Sequence, residues 1–183
     1  MTFPETERVA LREFVSPDFE DLHDIVSKPV VCLYTDWGPN EASDTGAFLA
    51  QALRESRENP RQRYSLAVVR KQDLALIGSC ELWQENQQHA RGGVGFVFDP
   101  AVWGQGFATE TAGLLLRLGF ERLGLHRIEA TCRPDNIASR KALENAGFRV
   151  EGRLRNHVLI KRARQDSLLL GALSPVVPPN RGD

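Results

Sequence analysis

The 183-residue sequence lacks the features that mark several classes of protein. Its formal net charge is only -1, and its basic residues are not gathered into one helix, so charge indicates neither a nucleic-acid partner nor a membrane surface. It has no apolar run long enough to span a bilayer, and the opening residues, MTFPETERVALRE, lack the apolar core of a signal peptide. We therefore expect a cytoplasmic protein that binds neither nucleic acid nor a membrane.

Cysteine is also scarce. Cys32, Cys80 and Cys132 are odd in number and widely spaced, with no CxxC pair and no neighbouring histidine. This pattern predicts buried thiols rather than disulfide bridges or zinc ligands, and we expect no metal site. The rest of the composition, 42% hydrophobic and 26% charged, is that of an ordinary globular chain.

Hydrophobic periodicity predicts strands and helices that follow one another to about residue 173. The predicted strands are 6–14, 64–70, 74–83, 93–99, 126–132, 148–155 and 166–173; helices are predicted to begin at Ser16, to span 40–58, to begin at 108 and to span 138–146. In the strand 74–83, alternation places Ile77, Glu81 and Trp83 on one face and Cys80 on the other. We expect an α+β fold with a mostly antiparallel central sheet of about seven strands and about four flanking helices. The length fits a single domain, residues 1–173, followed by a proline-rich, flexible tail, residues 174–183.

The segment DPAVWGQGFATE, residues 99–110, places a glycine-rich turn between an apolar strand and an amphipathic helix. Gly104 and Gly106 can adopt backbone angles closed to other residues, so that successive N–H groups point into one concavity at the start of the helix dipole. Such a concavity suits a phosphate or a pyrophosphate. A Rossmann fingerprint needs a third glycine where this chain has Thr109, and the Gly-Lys-Ser/Thr of a Walker loop is absent. A third interpretation is an acyl-coenzyme A pyrophosphate site.

A second block, RPDNIASRKALENAGF at residues 133–148, follows after a helix and a strand. The two blocks together resemble the GNAT superfamily of N-acetyltransferases. The first resembles the acetyl-CoA signature Arg/Gln-x-x-Gly-x-Gly/Ala, here with Trp103 in the first place followed by Gly106 and Ala108, and the second resembles an Asn-x-x-Ser helix followed by Gly-Phe. The motif Trp-Gly-x-Gly-x-Ala-Thr-Glu is typical of the RimJ/RimL-like branch of this superfamily. The resemblance to the superfamily spans about residues 6 to 173.

This resemblance implies acetyl-CoA as the cofactor and a sheet that is splayed in the middle. The strand backbone of Phe96, Val97 and Phe98 would bind the pantetheine arm, which Asn136 would also meet, and Ser139 would lie near the sulfur. The pyrophosphate would meet the turn, whose residues are Trp103, Gly104, Gln105, Gly106, Phe107, Ala108 and Thr109.

Acetyl transfer to an amine needs a neutral amine, a polarised thioester and a proton for the departing thiolate. By family position Ser139 is the candidate acid for the thiolate, and the alternative is a helix-capping serine. For the base we consider His157, Glu81 and Glu129, and a water relay without one dominant base is the alternative. The family's acceptor-facing glutamate falls at His157 or at the neighbouring Val158, and the unperturbed pKa of histidine suits proton removal near neutrality.

Trp37 and Trp83 are candidate walls of the acceptor site, since large rings desolvate an amine well; the alternative is that they are core or rim aromatics. The predicted function is acetyl transfer from acetyl-CoA to a primary amine, either a protein N-terminus or a small molecule, by direct attack in a ternary complex. The alternatives are a non-catalytic acyl-CoA sensor and a regulatory domain for another nucleotide. The oligomeric state stays open between monomer and homodimer.

Overall fold

The computed structural model describes residues 2–160 and 162–175, in which seven strands form one sheet and four α-helices pack against it. The strands are β1 (Val9–Glu13), β2 (Arg63–Arg70), β3 (Leu76–Asn86), β4 (Arg91–Phe98), β5 (Arg127–Cys132), β6 (Arg149–Ile160) and β7 (Ala163–Leu173). The helices are α1 (Phe19–Val26), α2 (Ala42–Glu55), α3 (Phe107–Arg117) and α4 (Ile137–Ala146), and a π-helical turn, Leu118–Arg122, continues α3. The predicted α+β class is confirmed.

The strand order is β1-β2-β3-β4-β5-β7-β6, and every neighbouring pair in the described sheet is antiparallel except β4 with β5. That parallel pair joins only Arg91–Gly93 to Arg127–Glu129. Beyond these residues β4 keeps β3 as its partner and β5 keeps β7, while the two strands do not pair with each other. The sheet is therefore splayed between β4 and β5, as the family resemblance implied.

Two apolar clusters occupy the two faces of the sheet. Along β2, Leu66 and Val68 pack with α3 and α4, whereas Ala67 and Val69 pack with α1 and α2. Because successive side chains of a strand point to opposite faces, the two helix pairs cover opposite faces of the sheet. We call these the α3/α4 face and the α1/α2 face.

A bulge near the start of β3 corrects one predicted face. Val69 pairs with Leu76 and Val68 pairs with Gly78, which leaves Ile77 as an extra residue. Ile77 therefore packs on the α3/α4 face with Cys80, whereas simple alternation had placed it with Glu81.

At the other end of the chain, the Ser174 amide donates to the His126 carbonyl at 2.8 Å, while residues 176–183 of the predicted tail lie outside the described residues.

Among the described helices, none has the length and apolar character needed to cross a membrane.

Candidate active site

A cavity of about 1440 Å³ opens where β4 and β5 separate. Its walls include Val94 and Leu143 from the α3/α4 core together with Leu22 and Phe48 from the α1/α2 core. The cavity is therefore lined from both faces of the sheet. Most of the residues predicted from sequence line it: Trp37, Glu81, Trp83, Phe96, Val97, Phe98, Trp103, Gly104, Gly106, Phe107, Ala108, Thr109, Asn136 and Ser139. Gln105 and His157 do not.

The glycine turn has the backbone geometry that its sequence predicted. Gly104 has φ +76° and Gly106 has φ +87°, both in the left-handed region that favours glycine. Gly106 is the N-cap residue of α3, so the turn ends where the unpaired amides and the positive end of the helix dipole lie. A Cβ placed on Gly104 would meet nothing within 4 Å, which leaves open space above the turn. This cradle fits an anion such as a pyrophosphate.

Two charged contacts fix the turn to the rest of the fold. Arg8, which precedes β1, donates to the Gln105 carbonyl at 3.1 Å and forms an ion pair with Glu110 of α3. Lys28, which follows α1, forms an ion pair with Asp99 at 2.9 Å, and Asp99 accepts from the Ala101 amide at 2.8 Å. Hydrogen bonds from Lys28 and from the Ala101 amide, with the charge of Lys28, outweigh the opposing effect of burial and hold the pKa of Asp99 below its ordinary value.

The side chains of Gln105 and Trp103 donate hydrogen bonds to backbone carbonyls of the segment that joins β4 to α3. The Gln105 amide donates to the Ala101 carbonyl at 3.0 Å, which explains why its side chain does not reach the cavity. The Trp103 indole donates to the Phe98 carbonyl at 3.0 Å and remains 49% exposed. These two bonds fix the shape of the loop between β4 and α3.

At the start of α4, Asn136 is the capping residue. Its side-chain oxygen accepts from the Ser139 amide at 3.1 Å, which leaves the Asn136 amide nitrogen available as a donor. Among the described residues no hydrogen bond holds the Ser139 hydroxyl, although the residue lines the cavity. The capping role belongs to Asn136, and the Ser139 hydroxyl is free to face a ligand.

A polar cluster on the α1/α2 face surrounds Glu81. Its carboxylate accepts from the Ser65 hydroxyl at 2.9 Å and from Arg63 at 3.1 Å, and Ser65 also lies 3.2 Å from the buried Glu55 carboxylate. Gln51 donates to Glu55 at 2.7 Å. The cluster arises from strand register, because Ser65 of β2 is paired directly with Glu81 of β3. Sequence reasoning identified Glu81 and missed its partners.

Trp83 is fixed in the cavity wall from two sides. The Arg63 guanidinium lies 5.1 Å from the centre of its ring, and a Cβ on Gly93 of β4 would overlap the ring. The glycine at position 93 is therefore required for the indole to lie across β4. Trp37, in the loop before α2, is 39% exposed and lines the same cavity.

His157 lies beside the cavity rather than in its wall. Its Nδ1 is 2.9 Å from the hydroxyl of Ser167 on β7, which also accepts from Arg133. The neighbouring Val158 does line the cavity, and the irregular pairing of β6 between Leu154 and Val158 interrupts the usual alternation of side chains there.

The cysteines lie in the interior. Cys32, Cys80 and Cys132 are all buried thiols, as the sequence predicted. Burial raises the pKa of Cys80 and that of Cys132, both of which line the cavity. These two thiols therefore stay protonated near neutral pH and are poor nucleophiles.

A family comparison and a comparison with individual known proteins both identify this chain as similar to acetyltransferases. Residues 8–149 match the family described as the acetyltransferase (GNAT) domain. An uncharacterized N-acetyltransferase, YnaD of Bacillus subtilis (strain 168), is 31% identical over 147 residues, which cover 80% of this chain and 82% of YnaD.

Among solved structures, an acetyltransferase (GNAT family) from Bacillus anthracis superimposes with a TM-score of 0.83 at 27% identity, covering 94% of this chain and 98% of that one. Mycobacterium smegmatis RimJ, crystallised with CoA-disulfide, superimposes with a TM-score of 0.80 at 22% identity, covering 93% of this chain and 84% of RimJ. At that identity the likeness to RimJ shows the shared fold.

Proposed function

Because this chain belongs to the GNAT acetyltransferase family and is an acetyltransferase that uses acetyl-CoA, we propose that it acetylates a primary amine by direct attack within a ternary complex. The observation that carries the proposal is the cavity that passes through the splayed sheet, with a glycine cradle at α3 and a held carboxylate, Glu81, on the α1/α2 face. We place the chain in the RimJ/RimL-like branch on its Trp-Gly-x-Gly-x-Ala-Thr-Glu segment.

The chain offers acetyl-CoA three kinds of contact. The turn from Trp103 to Thr109 supplies backbone amides, and the Thr109 hydroxyl, for the pyrophosphate. The backbone of Phe96–Phe98, which does not pair with β5, supplies hydrogen bonds for the pantetheine amides, apart from the Phe98 carbonyl, which already accepts from the Trp103 indole. The free amide nitrogen of Asn136 supplies a further donor. Acetyl-CoA brings the activated thioester, and the remaining steps belong to the protein.

Glu81 is the group that we propose accepts the proton of the acceptor ammonium. It lines the cavity, whereas His157 does not, and its carboxylate is oriented by Ser65 and Arg63. Ser139 is the proposed donor to the departing thiolate, because its hydroxyl has no partner among the described residues and lies at the start of α4. His157 would act only on the orientation of Ser167.

Trp83 and Trp37 form the proposed walls of the acceptor site. Both rings line the cavity, and Trp83 is held on the same face of the sheet as Glu81. An aromatic wall removes water from the amine, which lowers the pKa of the amine and favours its neutral, nucleophilic form, whereas the carboxylate attracts the ammonium and accepts its proton. The proposed acceptor is either a protein N-terminus or a small amine.

The test measures release of the CoA thiol from acetyl-CoA with a panel of small amines and N-terminal peptides. We expect turnover with at least one acceptor, and initial-rate plots that intersect rather than run parallel, because both substrates must be bound together. Tight binding of acetyl-CoA without turnover on any acceptor would support a sensor instead. Displacement of acetyl-CoA by ADP-ribose or ATP with comparable affinity would refute the assignment of the cavity to CoA.

A further inference from the structure

Arg133 is a buried cation, and no carboxylate among residues 2–160 and 162–175 forms an ion pair with it. The residue is 9% exposed, its Nη2 donates to the Ser167 hydroxyl, and its Nη1 is buried without a hydrogen-bond partner in the described part of the chain. Arg61 provides a comparison within the same fold, because its side chain is also 9% exposed, yet both of its Nη atoms reach the Glu13 carboxylate, at 2.5 and 3.0 Å.

Burial of a guanidinium without an opposite charge is unfavourable, since the lost hydration is not replaced. Burial accordingly lowers the pKa of Arg133, against the opposing influence of Cys132, Asp36 and Asp166. Asp166 is already paired with Arg153 at 2.6 Å. The charge of Arg133 therefore stays unbalanced, and its Nη1 unbonded, until an anion binds there.

The location of Arg133 points to the acceptor rather than to the cofactor. Cys132 packs on the α3/α4 face, so the next residue projects toward the α1/α2 face, where it meets Ser167. Arg133 lines the cavity together with Asp36, from the loop between α1 and α2. Coenzyme A carries its charges on the pyrophosphate, whose cradle lies at the start of α3, and on the 3′-phosphate of the adenosine beyond it, whereas the pantetheine arm is uncharged.

We propose that the acceptor carries a carboxylate as well as its amine, and that Arg133 binds this carboxylate through Nη1. The inference rests on the proposed acetylation of an amine and narrows its substrate class. One guanidinium nitrogen with its two N–H groups suits a carboxylate oxygen. The exposed carboxylate of Asp36 on the same cavity disfavours a doubly charged phosphate, and it favours a zwitterion whose ammonium lies on that side.

The experiment compares acceptors that differ only in the carboxylate. The pairs are γ-aminobutyrate with n-propylamine and δ-aminovalerate with n-butylamine, and the methyl ester of each amino acid retains its size without its charge. We expect kcat/KM for the amino acid to exceed that for the matched amine by roughly 10- to 100-fold, the usual range for a hydrogen bond to a charged group. An aminoalkylphosphonate of the same length should be a poorer acceptor than the carboxylate.

Three variants test whether Arg133 causes the preference for the amino acid over the matched amine. Arg133→Gln should reduce the preference for the amino acid to within about 3-fold, as expected when a charged hydrogen bond is replaced by a neutral one. Arg133→Lys should retain part of the preference. Arg153→Gln is the matched control, because Arg153 is 62% exposed and lies outside the cavity wall, and it should retain the whole preference. Thermal unfolding checks that each variant is folded, and the acceptor pairs on the unchanged protein test the proposal even where a variant is not.

Calorimetric binding of the same acceptor pairs to the CoA complex gives a readout that does not need turnover. If no acceptor is acetylated but the amino acids bind through Arg133, the proposed function fails and this inference stands. Equal kcat/KM for the paired acceptors, with active enzyme, would overturn the inference alone. A loss of CoA affinity in Arg133→Gln without a change in acceptor preference would also overturn it and would assign Arg133 to the donor site.

Discussion

Gly106 is the residue whose substitution tests the cofactor cradle most directly. Its φ of +87° is unfavourable for a residue with a side chain, by about 1 to 3 kcal/mol. A new Cβ would lie 3.3 Å from Nη2 of Arg8, the far end of a flexible side chain that can move. Backbone strain is therefore the larger effect, and a β-branched valine adds to it.

The strained variant has two ways to respond, and each can be measured. If Gly106→Val keeps the turn, the protein loses about 1 to 3 kcal/mol of unfolding free energy. If the turn relaxes to negative φ, its amides rotate away from the cradle, and an equal loss of binding free energy would raise the Kd for CoA by about 5- to 150-fold. Urea unfolding and calorimetric titration with CoA distinguish the two responses.

Gly113 supplies the matched control within the same helix. It lies in the interior of α3, and a Cβ there would meet nothing within 4 Å. Gly113→Ala should stabilise the fold by about 0.5 to 1 kcal/mol and leave the CoA affinity unchanged. A folded Gly106→Val protein with both its stability and its CoA affinity intact would refute the assignment of the cradle.

Three further predictions concern the chemistry and the stability of the fold. Ser139→Ala should lower kcat more than CoA affinity, since a bond to the thiolate strengthens only as the sulfur gains charge; a change in thermal stability alone would contradict this role. Glu81→Gln should lower turnover by about 10² to 10⁴, while His157→Ala should change it little, and the reverse order would return the base to His157. Asp18→Asn should destabilise the fold near neutral pH by about 1.5 to 3 kcal/mol through loss of its charged hydrogen bonds to Arg12. Although burial opposes the shift, the Arg12 bonds lower the pKa of Asp18, so the difference from wild type in urea unfolding should be complete above about pH 3.9, the unfolded value, and should be lost as the pH falls from there through the lower folded-state pKa.

The features that depend on local sequence were predictable. Gly104 and Gly106 adopt positive φ because the turn before α3 needs it, and residues 137–146 form a helix as periodicity indicated, with Asn136 as its N-cap and Gly147 as its C-cap. The predicted strands also formed, with boundaries that differ by a few residues, because hydrophobic alternation is read within each strand.

The features that depend on strand register could not be predicted from the sequence. Ser65 reaches Glu81 only because β2 and β3 pair in one particular register, and Ile77 changes face because that register contains a bulge. In the same way, the pairing of β6 with β7 shifts between Leu154 and Val158, so counting along the chain could not decide which of two adjacent residues faces the cavity. Arg133 stood in the second sequence block without a role, since its burial and its contact with Ser167 arise from long-range packing.

The splay between β4 and β5 brings together the turn at Gly106, which depends on local sequence, and the cluster around Glu81, which depends on strand register. A closed sheet would satisfy the backbone of Val94–Phe98 on both sides and would separate the α3/α4 face from the α1/α2 face. The separation of the strands leaves that backbone unpaired toward β5 and joins the two faces through one cavity. A donor held by the turn at Gly106 and an acceptor held near Glu81 would then approach from opposite faces. This geometry supports the proposed direct attack, because the reacting groups would meet in the gap while the two buried thiols beside it remain protonated.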